Sequence, residues 1–230
     1  MISGTNGFCL SLPEIFLFVF ADAILTLYHI YDPCMEGSIN YLKSVYFEQA
    51  KGEKMPLLRI DPDHSVAGFQ VRHMMISNVR GQFNSIRGTI AFDPEDITSS
   101  TVEVEIDASG IHTGISKRDE HLKSPDFLDV ENHPQIIFRS TRVEPSGTRR
   151  FIIFGELTIR GVTRTVSLET EYVGPVKDPF DQGASYGFST ATEIDREEFG
   201  MTWNVGMEGG GFVVGKNVLI NLELEADLVQ

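Results

Sequence analysis

The 230-residue chain is 41% hydrophobic and 23% charged, with 21 Gly, 10 Pro and 2 Cys, a profile that excludes a disordered tail, a collagen-like repeat and a disulfide-stapled miniprotein. Its 19 basic against 33 acidic side chains give a formal charge of −14; with no concentrated basic patch such a chain repels phosphate backbones, so no nucleic-acid partner is expected. Both cysteines, Cys9 and Cys34, lie near the N-terminus, so the rest must fold without a disulfide or a thiolate metal site.

Residues 1–54 read as an extension outside the main domain, 55–230. Their apolar run, 15–20, continues through 24–27 but is broken by Asp22 and falls short of the ~20 residues a spanning helix needs. Ala21-Asp22-Ala23 has the small-x-small form of a signal-peptide cleavage site, yet no Lys or Arg precedes the run. A rival reading starts translation at Met55, because Lys51-Gly52-Glu53-Lys54 can be encoded by a purine-rich ribosome-binding sequence at normal spacing from a start codon. The first reading places the domain in the periplasm or outside the cell; the second places it in the cytoplasm. A genuine extra structural segment is the third alternative. From Met55 onward, 16 basic and 27 acidic side chains are spread over 176 residues, the length of one domain.

From there the dominant period is two. Strands are expected at 65–73 and 82–92, then over Val102, Val104 and Ile106, which alternate with Glu103, Glu105 and Asp107. A helix is expected over 116–123, with Ser116 as N-cap and Asp119 at the capping-box position. Strands follow at 135–143 and 150–160, then over Val166, Leu168, Thr170 and Tyr172, then at 185–195 with a brief turn at 195–199. The last runs from Val218 to Leu228, opposite a polar face of Asn and carboxylates. Gly, Pro and Asp clusters separate them, including Gly209-Gly210-Gly211. About eight antiparallel strands with short connections close most economically as an all-β up-and-down barrel, which removes exposed edges. Eight strands leave an interior that side chains fill or that holds one slender ligand.

Local chemistry motifs are weak. Gly183-Ala-Ser-Tyr-Gly187 matches a nucleophile elbow but leads into a strand rather than a helix, and Gly-rich 206–215 lacks the ending of a phosphate-cradling loop. No catalytic residue and no cofactor are assigned. His64, His73, His112, His121 and His133 show no local metal-ligand spacing, so no metal is expected. Met74, Met75 and Ile76 form an adaptable apolar lip in the turn between two strands, where Arg80 could meet an anionic headgroup. That turn, 74–79, and the 206–215 loop are the expected gate. Phe69, Phe83, Phe127, Phe188 and Trp203 either fill the interior or line a cavity; composition does not separate these readings.

Three separated segments, 59–83, 117–129 and 155–166, resemble in register the YceI-like family of polyisoprenoid-binding proteins, and the likeness spans 57–228. The resemblance implies a lipocalin-like antiparallel barrel with a long hydrophobic pocket and one or two short helices. It also implies non-catalytic binding, storage or transport of a long-chain isoprenoid or other amphiphilic lipid, such as a polyprenyl phosphate or a quinone-like molecule. The family's first motif falls on His64, Phe69, His73, Arg80, Gly81 and Phe83, and its helix motif on Arg118, Asp119, His121, Leu122 and Phe127. Arg118 and Asp119 read equally well as a structural ion pair pinning the helix over the barrel. Two alternatives stand beside this reading: sequestration of diverse hydrophobic compounds, and a lipid-modifying enzyme with a His acid/base. An acidic exterior fits a carrier that does not linger on anionic membranes, so no stable membrane insertion of the barrel is expected; association of two barrels is left open.

Overall fold

The computed structural model describes residues 55–177, 179 and 183–229; the expectations for residues 1–54 lie outside the described residues. Ten strands follow in chain order: β1 Leu57–His73, β2 Ser77–Phe83, β3 Ile86–Ala91, β4 Thr101–Asp107, β5 Ile111–His112, β6 Gln135–Gly147, β7 Arg150–Ile159, β8 Val162–Lys177, β9 Ala184–Asp195 and β10 Val214–Leu228. The helix α1, Ser116–Lys123, and short 3₁₀ turns, among them Ala108–Gly110 and Arg196–Phe199, complete the described elements.

The strands make eight staves, because β2 and β3 share one and β4 and β5 share another. β1 pairs with β2 from Ala67 to His73 and with β3 from Leu57 to Arg59. β3 then pairs with β4, and β2 with β5, across the Ala108–Gly110 turn. Antiparallel pairing continues through β6, β7, β8 and β9 to β10, which returns to β1 from Leu58 opposite Leu228 to His73 opposite Val214. The sheet is therefore a closed eight-stranded antiparallel barrel, and closure leaves the stave order without a free edge.

Period-two alternation decides what faces inward. Phe151, Ile153, Leu157 and Ile159 of β7 are buried, as are Leu168, Thr170 and Tyr172 of β8, while the carboxylates between the β8 positions are exposed. At one end Phe92 meets Tyr172, Tyr186 and Phe188 edge-on, with ring centroids 4.9, 5.4 and 5.3 Å away. Such contacts pack densely and add to area burial.

Three local expectations are corrected. The strand expected at 82–92 is divided, because Asn84 and Ser85 leave the ladder, and its first piece begins at Ser77 directly after a turn at 74–76. The strand expected at 65–73 reaches back to Leu57. It carries an excursion at 62–65, where the register steps from Asp61 opposite Glu225 to Val66 opposite Glu223. The helix caps on Ile115 without a side-chain bond, so Ser116 is its first residue rather than its N-cap.

Glycine is required where staves approach most closely. A Cβ on Gly88 would lie 2.1 Å from the Glu103 carbonyl oxygen of β4, and backbone cannot yield as a flexible side chain can. Gly88→Ala is expected to cost about 3 kcal/mol, measured as a lower urea midpoint at unchanged m-value; an unaltered midpoint would show that the two staves can part.

Candidate ligand-binding site

The inward faces enclose a cavity of about 190 Å³ that runs through the barrel from Phe92, Ser100 and Phe151 near one end to Leu122, Phe127 and Met201 at the other. Between them the wall is built from Val102, Val104 and Ile106 of β4, Ile153 and Leu157 of β7, Val166 and Leu168 of β8, and Val218, Ile220, Leu222 and Leu224 of β10. The surface facing the void is apolar. Thr170 and Thr190 lie on this wall, but their hydroxyls bond each other at 3.1 Å, and Thr190 also donates to the Glu169 carbonyl. Ser100 Oγ, on the same wall, is buried without a hydrogen-bond partner.

Of the residues singled out from sequence, Phe69, Phe83, Phe127 and Phe188 line this cavity. Phe69 and Phe83 touch at a centroid distance of 5.8 Å. His121 and Trp203 stand behind Phe127, with centroids 5.1 and 5.4 Å from it and 4.7 Å from each other, so the three rings form a cap over one end. His121 Nε2 also meets Asp126 Oδ2 at 2.8 Å. Met75 is exposed and its turn abuts the Gly-rich loop, since the Met74 amide donates to the Val213 carbonyl at 2.8 Å. Met74, Ile76, Val205 and Phe212 of the same two loops are also exposed, making an apolar rim. His73 closes the last β1–β10 pair beside it.

Arg80 lies on the barrel's outer face, where its Nε donates to Gln70 Oε1 at 2.8 Å. Arg118 and Asp119 do not bond each other but share Thr113. Arg118 donates to the Thr113 hydroxyl and carbonyl at 2.7 and 2.8 Å, and Asp119 Oδ1 accepts from the Thr113 amide and hydroxyl. This is a structural pin for α1. His64 is on the outer face, its side chain 67% exposed, with Nδ1 2.6 Å from Asp61 Oδ2; that bond holds the Asp61 carboxyl below its ordinary range and raises the imidazole.

Sequence reading missed Arg196. The residue is 2% exposed and lies against the cavity. Nε donates to the Gly215 carbonyl at 2.8 Å, and the terminal nitrogens donate to the carbonyls of Met201, Trp203 and Val214. Burial pushes its guanidinium down from the ordinary Arg value, against the pull of Glu197. The signal was present: Phe188, Thr190, Thr192, Ile194 and Arg196 continue one period-two series. Arg196 thus ties the 201–203 and 214–215 segments together across the end that the aromatic rings cap.

The model of the YceI-like domain matches residues 58–226. A UPF0312 protein of Staphylococcus aureus (strain USA300) is 32% identical over 165 residues, covering 72% of this chain and 94% of that protein. One of Vibrio cholerae is 29% identical over 167 residues, covering 73% and 82%. Among solved structures, the Campylobacter jejuni YceI protein has a TM-score of 0.58 at 27% identity, covering 69% of this chain and 90% of that one. A polyisoprenoid binding domain from Saccharophagus degradans has a TM-score of 0.55, covering 76% of this chain and 100% of that one; at 12% identity the likeness is one of fold.

The Thr113 hydroxyl, donating to Asp119, holds that carboxyl below its ordinary value. The stability it contributes is therefore complete above the ordinary Asp pKa of about 3.9 and is lost as pH falls through the lowered folded value. Wild type and Asp119→Asn should differ in thermal midpoint at pH 6, and the gap should begin to narrow only as pH falls below about 4. A gap independent of pH would assign the pin to packing rather than charge.

Proposed function

The chain belongs to the YceI-like domain family, and on that premise we propose that its barrel binds the tail of a long-chain isoprenoid or other amphiphilic lipid, a polyprenyl phosphate or a quinone-like molecule among them, for storage or transport rather than for catalysis. The observation that carries the reading is the apolar cavity threading a closed barrel. A wall of this kind offers carbon surface and no specific polar anchor, so affinity comes from burial at about 0.8 kcal/mol per CH₂. A volume of 190 Å³ slightly exceeds the ~150 Å³ that accepts benzene, so this state has room for roughly one or two isoprene units before lining side chains part.

The polar group of such a ligand stays outside the apolar wall, at the end where the rim of Met74, Met75, Ile76, Val205 and Phe212 lies. In this reading the gate expected at 74–79 and 206–215 narrows to the 74–76 turn and the 205–213 loop, because Ser77 begins β2 and Val214 begins β10; Phe127 with His121 and Trp203 is the cap, and Phe69, Phe83 and Phe188 are the tail contacts. His64 is exposed and absent from the cavity lining, which argues against that residue as an acid or base on a bound tail.

Leu222 is half-buried and borders the void, so enlarging it removes space without disturbing the wall's outer face. A fluorescent nitrobenzoxadiazole-labelled farnesyl probe is expected to bind saturably to wild type and at least tenfold more weakly to Leu222→Phe of unaltered circular dichroism. Equal affinity of the two proteins, or no saturable binding by either, would overturn the assignment.

A further inference from the structure

At the seam where the barrel closes, Asp61 of β1 stands directly opposite Glu225 of β10 on the outer face. Like charges in that relation repel across a ladder, and the other cross-strand neighbour of Glu225, Gly187 of β9, has no side chain to relieve it. Glu223 and Asp227, two residues away on either side, accept hydrogen bonds from Ser189 and Ser185; the Glu225 carboxylate has no such partner among the described residues. The excursion at 62–65 swings His64 back over this pair, so that Nδ1 reaches Asp61 Oδ2 at 2.6 Å.

The donor atoms of Asp61, His64 and Glu225 all lie within 4.8 Å of one another. From these positions we propose a second site, unconnected with the lipid cavity: a divalent transition cation of the zinc type, held by one imidazole and two carboxylates with its fourth position open to solvent. Imidazole nitrogen with carboxylate oxygen is the ligand set of such ions, at about 2.0–2.2 Å from each atom. Tetrahedral ligands at that distance are about 3.4 Å apart, so only small side-chain rotations separate the observed cluster from a coordinated one. A double positive charge neutralises both carboxylates, which one imidazolium cannot. Bound there, the ion bridges β1 to β10 where their ladder is interrupted, and it staples the barrel's closing pair.

The test is calorimetric titration of the chelator-treated protein with Zn²⁺, repeated on His64→Gln and Glu225→Gln, alongside Co²⁺ absorption. Wild type should take up one ion per chain, show the visible bands of tetrahedral cobalt, and melt at higher temperature with Zn²⁺ present. Each substitution should weaken binding at least tenfold and abolish the melting shift. Absence of one-to-one binding, or equal binding by the variants, overturns the proposal. Should a variant fold poorly, the wild-type cobalt spectrum decides alone, since octahedral or absent bands refute a site of this geometry. Retention of the farnesyl probe is expected to be the same with and without the ion.

Discussion

Everything in this molecule depends on the pairing of its first and last barrel strands. An open sheet of these strands would leave two unpaired edges and one apolar face in water. The return of β10 to β1, over nearly the whole length of both, removes the edges and turns eight inward faces toward a shared axis. With the walls closed, backbone polar groups are satisfied strand to strand, and the alternation of each strand delivers branched and aromatic side chains to the interior. Eight strands is the size at which such an interior is nearly but not completely filled. The 190 Å³ void is what remains.

Because the wall is continuous hydrogen-bonded sheet, exchange with the interior has to occur at an end. The end nearer α1 is covered by segments held from two sides. Thr113 fastens the start of α1 through Arg118 and Asp119, and Arg196 fastens the 201–203 segment to the start of β10 through four carbonyl oxygens. Between these ties lie the aromatic cap and the exposed apolar rim. A buried guanidinium bonded to carbonyls, with its nearest carboxylate oxygen 4.0 Å away on Glu197, is a costly tie.

The architecture was legible in the sequence where one face of a strand is wet. Val102, Val104 and Ile106 alternate with carboxylates, as do Leu222 and Leu224 with Glu223 and Glu225, and these apolar residues fall on the inner face as period two dictates. Legibility failed where hydrogen bonding rather than burial sets the local course. The ladder gap at Asn84 and Ser85 shows in 82–92 only as a change of apolar parity, from Phe83 to Ile86, Ile90 and Phe92, and the loop-out at 62–65 inserts residues that a parity count treats as strand. Ser116 has the chemistry of an N-cap, but Asp119 takes the Thr113 bonds that lock the helix start, and the cap passes to Ile115. The cavity could not be read from composition, since a packed core and a lipid tunnel use the same side chains; only the family resemblance implied it. The phenylalanines were visible as candidates, and only their three-dimensional arrangement separates the four on the cavity wall from the outward Arg80 and His64.

The central claim is that this interior is built for an isoprenoid tail. Native mass spectrometry of the protein purified without detergent, followed by analysis of its organic extract, tests it most directly. One lipid per chain, released as a single isoprenoid series, is the predicted result. Protein at its bare chain mass that takes up no prenyl lipid on incubation, or an extract of unrelated hydrophobic compounds, would contradict it.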